Sequence, residues 1–176
     1  KAIRIFAKTP TAIAAFLRTR KSKNIIPPKR KLTFSENFFY MCFGKVPSKE
    51  IVKAFDVSLI LYAEHSFNVS TFTARTITSS LSDMHSAITG AIGSLKGPLH
   101  GGANEEVMNM MNKIQNPENA LKWINNALDK KEVVMGFGHR VYKKGDSRVP
   151  TMEKYFKKVS KIKSDKKFHK IYDIVK

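Results

Sequence analysis

The sequence predicts an all-α protein. Apolar residues recur at three- and four-residue steps in one segment after another, strand-like alternation is scarce, and the segments are punctuated by capping residues, prolines and glycines. The first segment, Ile3 to Arg20, places Ile3, Ala7, Ala12, Ala15 and Phe16 near helical spacing, and Pro10 is expected to break it. Residues 21–33 read as a basic, proline-containing connection. A second helix should open at Ser35, ahead of Phe38 and Phe39, and stop at Gly44. Ser48 is a candidate N-cap for a third helix from Glu50 to Phe67.

Ser70 to Leu95 is rich in small residues and carries Ile77, Leu81, Met84, Ile88 and Ile92 at helical steps, which predicts one helix in a tight helix–helix contact. The loop Gly97-Pro98-Leu99-His100-Gly101-Gly102 follows, after which Asn104 should cap a helix through Met111. Asn116-Pro117-Glu118 should start another, reaching about Lys130. A second glycine-bearing stretch, Val134 to His139, precedes Lys143 to Pro150, and the chain closes on a Lys-rich amphipathic helix.

With 176 residues, 42% of them hydrophobic, the chain can bury one sizeable core. A single cysteine, Cys42, forms no intramolecular disulfide and favours a reducing compartment, the cytoplasm or alternatively the mitochondrial matrix. No apolar run reaches the roughly 18 to 20 residues of a membrane helix. The acid-free first 35 residues have the composition of an organellar transit peptide, but Pro10, Pro27 and Pro28 interrupt them.

The net charge of +18 raises the question of nucleic-acid binding, and its distribution argues against it. Residues 1–49 carry 12 Lys or Arg against 1 acid, and residues 153–176 carry 9 against 3. Residues 50–152, where the unusual side chains lie, carry 11 against 10. A polyanion binder concentrates cations and aromatics on one surface. Here Lys dominates what read as solvated helix faces.

Three histidines stand out: His65 in AEHSFN, His100 in GPLHGGAN and His139 in GFGHRVY. Each alone would read as a core or turn residue. Two lie in glycine loops, where the backbone can take positive φ and come close to a ligand, and the helix after His100 would aim its positive end at whatever that ring contacts. A carbonyl that becomes an enol or enolate needs such a hydrogen-bond donor. The histidine spacings are too wide for a zinc site, and no paired Cys or acid supplements them, so no metal is expected. Arg148, in KKGDSR, offers a planar cation suited to a carboxylate, with a surface pair to Asp146 as the alternative. Cys42 stands in no glycine elbow and is not a nucleophile candidate. His85 and His169 sit among ordinary polar residues and read as surface or structural groups.

Taken together, LILYAEHSFNVSTFTAR, GAIGSLKGPLHGGANEEVM and GFGHRVYKKGDSRVP resemble the citrate synthase family in order and spacing. AKTPTAIAAFLR and ENFFYMCFGKVPS are similar too, so the resemblance covers nearly the whole chain and makes the basic N-terminal segment an internal helix. YAEHSFN with STFTAR, and KGDSRVP, look like the bacterial citrate and 2-methylcitrate synthases, the methylcitrate branch somewhat more. Many members have DPR where this chain has Asp146-Ser147-Arg148, which leaves the arginine in place.

The resemblance implies an acyltransferase that condenses acetyl-CoA or propionyl-CoA, as co-substrate and with no other cofactor, with oxaloacetate. His100 would hydrogen-bond the acyl carbonyl and stabilise its enol, and His139 would polarise the ketone of oxaloacetate. His65 and Arg148 would hold its carboxylates. The backbone around Val134, Gly136, Phe137 and Gly138 would face the CoA adenine, with Arg140 and Lys143 toward CoA phosphates. Residues 1–97 would belong to a large helical domain and 98–176 to an incomplete small domain that closes over substrate, hinged near Gly97 to Gly102. A homodimer is implied, with no nucleic-acid or membrane partner. The family's catalytic base, an aspartate in a motif like PNVD, and its later arginines match nothing here. The expectation is therefore a fragment lacking both ends, crippled on its own, or one that binds oxaloacetate or CoA without turnover.

Overall fold

The computed structural model describes residues 1–65, 67–139, 142–163 and 167–176. Among these the protein is all helical: α1 (Ala2–Arg20), α2 (Phe34–Phe43), α3 (Lys49–Ala63), α4 (Val69–Ser79), α5 (Met84–Leu95), α6 (Gly102–Ile114), α7 (Pro117–Asp129), α8 (Val149–Ile162) and α9 (Lys167–Val175). None of these helices is long and apolar enough to cross a membrane. Two compact units result, Lys1–Glu64 and His65–Lys176. The expected boundary near Gly97 falls inside the second unit, just after α5.

In the first unit α1 lies on α2, burying Ala14 against Met41 and Cys42 with Leu17 and Phe38 around them. Phe55 of α3 stacks on Phe38 at 5.2 Å and meets Phe39 edge-on at 5.1 Å. The sequence suggested a break at Pro10, yet α1 runs straight through it. The carbonyl that loses its partner belongs to Phe6, which is 70% exposed, so water can satisfy it. Thr33, two residues before the expected start, caps α2 through a capping box with Glu36. Gly44 stops it as expected, in the left-handed conformation at φ 77°. Cys42 is buried, and that burial pushes its thiol pKa up, which suits packing rather than reactivity.

The second unit contains the hairpin α4–α5 and a core of Met110, Ile114, Ala120 and Ile171 from α6, α7 and α9. Residues 70–95, read as one helix, are two. The apolar steps continue across the break and so conceal it, whereas the polar residues create it. The hydroxyls of Ser79 and Ser80 turn back onto Thr76 and Ile77 carbonyls, Leu81 takes φ 63°, and Asp83 accepts from the amides of His85 and Ser86 to start α5. Helix α3 stops at Ala63, short of Phe67, because Glu64 turns extended. Helix α6 begins at Gly102 rather than after Asn104, and continues to Ile114. The closing Lys-rich segment is two helices, α8 and α9, rather than one.

The glycine loop before α6 owes its shape to contact with the end of α5. A Cβ on Gly102 would lie 2.8 Å from the Gly97 carbonyl oxygen and 2.9 Å from that of Lys96, and one on Gly101 would lie 2.6 Å from the Leu95 carbonyl oxygen. These are backbone atoms and cannot swing aside. Gly93, exposed on α5, has nothing within 4 Å. We expect Gly102→Ala to destabilise the fold by about 1–3 kcal/mol, and Gly93→Ala to stabilise it by up to about 1 kcal/mol. Denaturant unfolding of both variants checks this, and equal effects would refute the close-approach argument.

Asp83 supplies a pH signature. Hydrogen bonds from Ser86, side chain and then amide, and from His85 hold its carboxyl pKa down at about 2. A depressed carboxylate stabilises the fold above its unfolded pKa near 3.8 and loses that contribution as pH falls toward about 2. The His85 and Ser86 amide resonances should therefore titrate together near pH 2, and Asp83→Ala should abolish that step.

Candidate active site

All three singled-out histidines lie in the second unit, and the segment from His65 to Ser70 links two clusters. Phe67 takes φ 63°, unusual for a bulky residue, and turns the chain into Asn68, the N-cap of α4. The Asn68 Oδ1 accepts from the Thr71 amide at 2.8 Å, which leaves its NH₂ facing His65 Nε2 at 3.1 Å. An amide fixed in this way donates, so the neutral His65 ring accepts at Nε2 and carries its proton on Nδ1. That Nδ1 lies 2.9 Å from the Tyr142 hydroxyl.

His139 stands on the other side of Tyr142. The two rings stack with centroids 4.4 Å apart, and the Tyr142 amide donates to His139 Nδ1 at 3.1 Å. The ring proton of neutral His139 is thereby left on Nε2, a donor in an exposed position. Gly136 and Gly138 take φ 92° and 71°, so this loop needs glycine at both places. Val134 packs with Val107 against the α6–α9 core, and Gly136 approaches Val107 so closely that a Cβ would sit 3.0 Å away.

The second cluster centres on His100. Its amide and that of Gly102 both donate to the Gly97 carbonyl, and its ring Nε2 lies 2.7 Å from Ser70 Oγ in the first turn of α4. The ring is half-buried, at the entry to α6.

Arg148 pairs with Asp146, with Nη2 to Oδ2 at 2.6 Å and Nε to Oδ1 at 3.0 Å, and Asp146 also accepts from the Arg148 amide at 2.9 Å. The guanidinium holds the Asp146 carboxyl pKa below the usual range, and His65, when charged, adds a smaller effect of the same sign. The pairing considered as the alternative for Arg148 therefore forms, only about a fifth exposed on each side.

The structure thus brings His65 and His139 together through Tyr142, pairs Arg148 with Asp146, and ties His100 to Ser70. Lys143 and Phe137 lie exposed in the same loop region, and Arg140 falls outside the described residues. His85 is exposed beside Asp83, and His169 packs against Phe156, in keeping with structural roles. Among the described residues no group of His, Cys, Asp and Glu could hold a metal. Sequence reasoning missed Ser70 and Tyr142, although both stand inside the quoted motifs. A hydroxyl contact spanning 30 or 77 residues leaves no periodic trace.

Comparison with known proteins finds relatives of the chain. The model of the "Citrate synthase, C-terminal domain" family matches residues 1–176. The chain is 51% identical over 173 residues to a citrate synthase of Mycolicibacterium smegmatis, covering 98% of this chain and 46% of that protein. It is 55% identical over 174 residues to 2-methylcitrate synthase 2 of Corynebacterium glutamicum, covering 96% and 45%. The chain therefore spans a little under half the length of these relatives. Among solved structures it resembles a ternary complex of carboxymethyl coenzyme A and oxaloacetate with citrate synthase from Thermoplasma acidophilum, with a TM-score of 0.85, 37% identity and coverage of 96% of this chain and 44% of that one. The chain belongs to the citrate synthase family.

Proposed function

We propose that this chain carries the oxaloacetate and acyl-CoA histidines of a synthase that joins acetyl-CoA or propionyl-CoA to oxaloacetate, giving citrate or 2-methylcitrate and CoA. The observation that carries the reading is the convergence of His65 and His139 on Tyr142. His139, with its proton on Nε2, is set up to donate to the ketone oxygen of oxaloacetate and so draw electron density from the carbon that is attacked. His65 and Arg148 take carboxylates. Ser70 Oγ lies 2.7 Å from His100 Nε2, and with the hydroxyl as donor the His100 proton would sit on Nδ1, where it can hydrogen-bond the acyl carbonyl as the enol forms. Val134, Gly136, Phe137 and Gly138 border the CoA adenine, and Arg140 and Lys143 are candidate cations for its phosphates. The relatives' names divide between citrate and 2-methylcitrate synthases, so both acyl groups belong to the proposal.

The condensation also needs a base to remove the acyl α-proton. No motif like PNVD occurs in the 176 residues, and loss of a general base costs roughly 10² to 10⁴ in rate. We therefore expect this chain to bind oxaloacetate without turnover. In the intact assembly we infer a cytoplasmic homodimer whose residues 98–176 close on residues 1–97, with acyl-CoA as co-substrate, no further cofactor and no nucleic-acid partner.

The first test is CoA thiol release by this chain with oxaloacetate and, in parallel, acetyl-CoA and propionyl-CoA. No release above background is expected. Turnover would overturn the assigned need for the missing aspartate, and the ratio of rates would identify the acyl group. The second test follows histidine resonances as oxaloacetate is added. Shifts at His65 and His139 are expected, and Arg148→Gln should weaken binding roughly 10- to 100-fold, the worth of a charged hydrogen-bond pair. His100→Ala should leave oxaloacetate affinity unchanged. If Arg148→Gln binds as well as the parent chain, Arg148 does not hold the carboxylate.

A further inference from the structure

Tyr142 belongs to no role assigned above, yet it is the residue through which His65 and His139 meet. Its phenol oxygen lies 2.9 Å from His65 Nδ1, 77 positions away in the chain. Its ring lies on that of His139 with centroids 4.4 Å apart and planes inclined by 20°. A further edge-on approach to the His65 ring, at 6.3 Å between centroids, completes the bridge.

The direction of the hydrogen bond follows from the other end of His65. Asn68 is locked by its cap to Thr71, its NH₂ points at Nε2, and the proton of neutral His65 must then sit on Nδ1. The Tyr142 oxygen is the acceptor of that proton. His65 is thus held at both nitrogens, by Asn68 on one side and Tyr142 on the other, and a ring fixed at both nitrogens has one tautomer and one plane. Phenylalanine at 142 would preserve the stack on His139 and lose only the acceptor. Alanine would remove both.

We propose that Tyr142 is a positioning residue, which holds the ring orientation of His65 by accepting its Nδ1 proton and the ring plane of His139 through its face, so that the two substrate histidines are held as one rigid pair. The inference rests on the reading of His65 and His139 as oxaloacetate ligands. Tyr142 acts on substrate through them, by removing the ring freedom that binding would otherwise have to freeze.

The experiment compares parent chain, Tyr142→Phe and Tyr142→Ala, each with ¹⁵N-labelled imidazoles, before and after addition of oxaloacetate. In the parent, His65 should show a protonated Nδ1 and an unprotonated Nε2, and His139 the reverse. Tyr142→Phe should move the His65 Nδ1 signal, whose proton loses its acceptor, while leaving His139 unchanged, and should weaken oxaloacetate binding about 5-fold, the worth of one neutral hydrogen bond. Tyr142→Ala should move the His139 signals as well and weaken binding further. Unchanged Asn68 and Thr71 amide resonances in both variants would show that the cap, and so the fold around it, survives. His65 nitrogen shifts in Tyr142→Phe equal to those of the parent would overturn the proposal, as would His139 signals that ignore Tyr142→Ala. A parent chain that fails to respond to oxaloacetate would overturn the substrate reading alone, since the imidazole shifts without ligand decide the Tyr142 contacts independently.

Discussion

The site depends on the side chain of Asn68. Its oxygen satisfies the Thr71 amide at the start of α4, one of the donors a helix leaves without an internal partner. Its nitrogen faces His65. One planar amide therefore sets both the point at which α4 begins and the tautomer of a ring three residues earlier. Because α4 begins there, Ser70 falls in its first turn and reaches His100, so the two histidine clusters are referenced to the same helix start. The left-handed Phe67 is the local cost of this arrangement. A bulky residue at positive φ persists only where its surroundings require it, and here it delivers Asn68 to the cap.

Much of the helical frame was legible in the sequence because it rests on local chemistry. Gly44 ends α2 and Pro117 opens α7 through backbone preferences that belong to those residues wherever they occur. The failures share a different cause. Apolar steps from Ile77 to Ile92 continue across a turn, so periodicity joined α4 to α5, while the stop came from serine hydroxyls and the Asp83 cap. Pro10 was read as a break because proline removes a donor, but the consequence depends on whether the orphaned carbonyl is wet, and that is a tertiary fact. For α6, the loop carbonyl of Gly97 supplied what Asn104 was expected to supply.

The candidate site was legible as residues and illegible as connections. The motifs named His65, His100, His139 and Arg148, and the glycines of GFGH do take the positive φ that their residue type permits. Nothing in spacing could show that a tyrosine three residues after His139 reaches back to His65, or that Ser70 supports His100. The glycines beside His100 illustrate the same division. They were read as places where a backbone can approach a ligand, and within the chain itself Gly101 and Gly102 approach Leu95, Lys96 and Gly97 at and just after the end of α5. A glycine in a loop declares that something comes close, and only the fold says what.

The Asp146–Arg148 pair sets a constraint on any carboxylate that this region binds. Asp146 stays ionised through the neutral range, since Arg148 depresses its pKa, and it is held in place by accepting from the Arg148 amide at the start of α8. An incoming carboxylate therefore meets a guanidinium already oriented but paired with a fixed anion, with no net charge between them. Orientation lowers the entropy cost of binding, while the fixed anion reduces the Coulombic gain. The balance shifts toward ligands with additional hydrogen-bond acceptors for other donors, and a proton on His139 Nε2 would be such a donor. A dicarboxylate bearing a ketone offers acceptors to both groups at once, whereas a simple anion offers one charge to a pair that is already neutral. Selectivity in such a site comes from matching several oriented donors, and the positive charge of the chain as a whole contributes little to it.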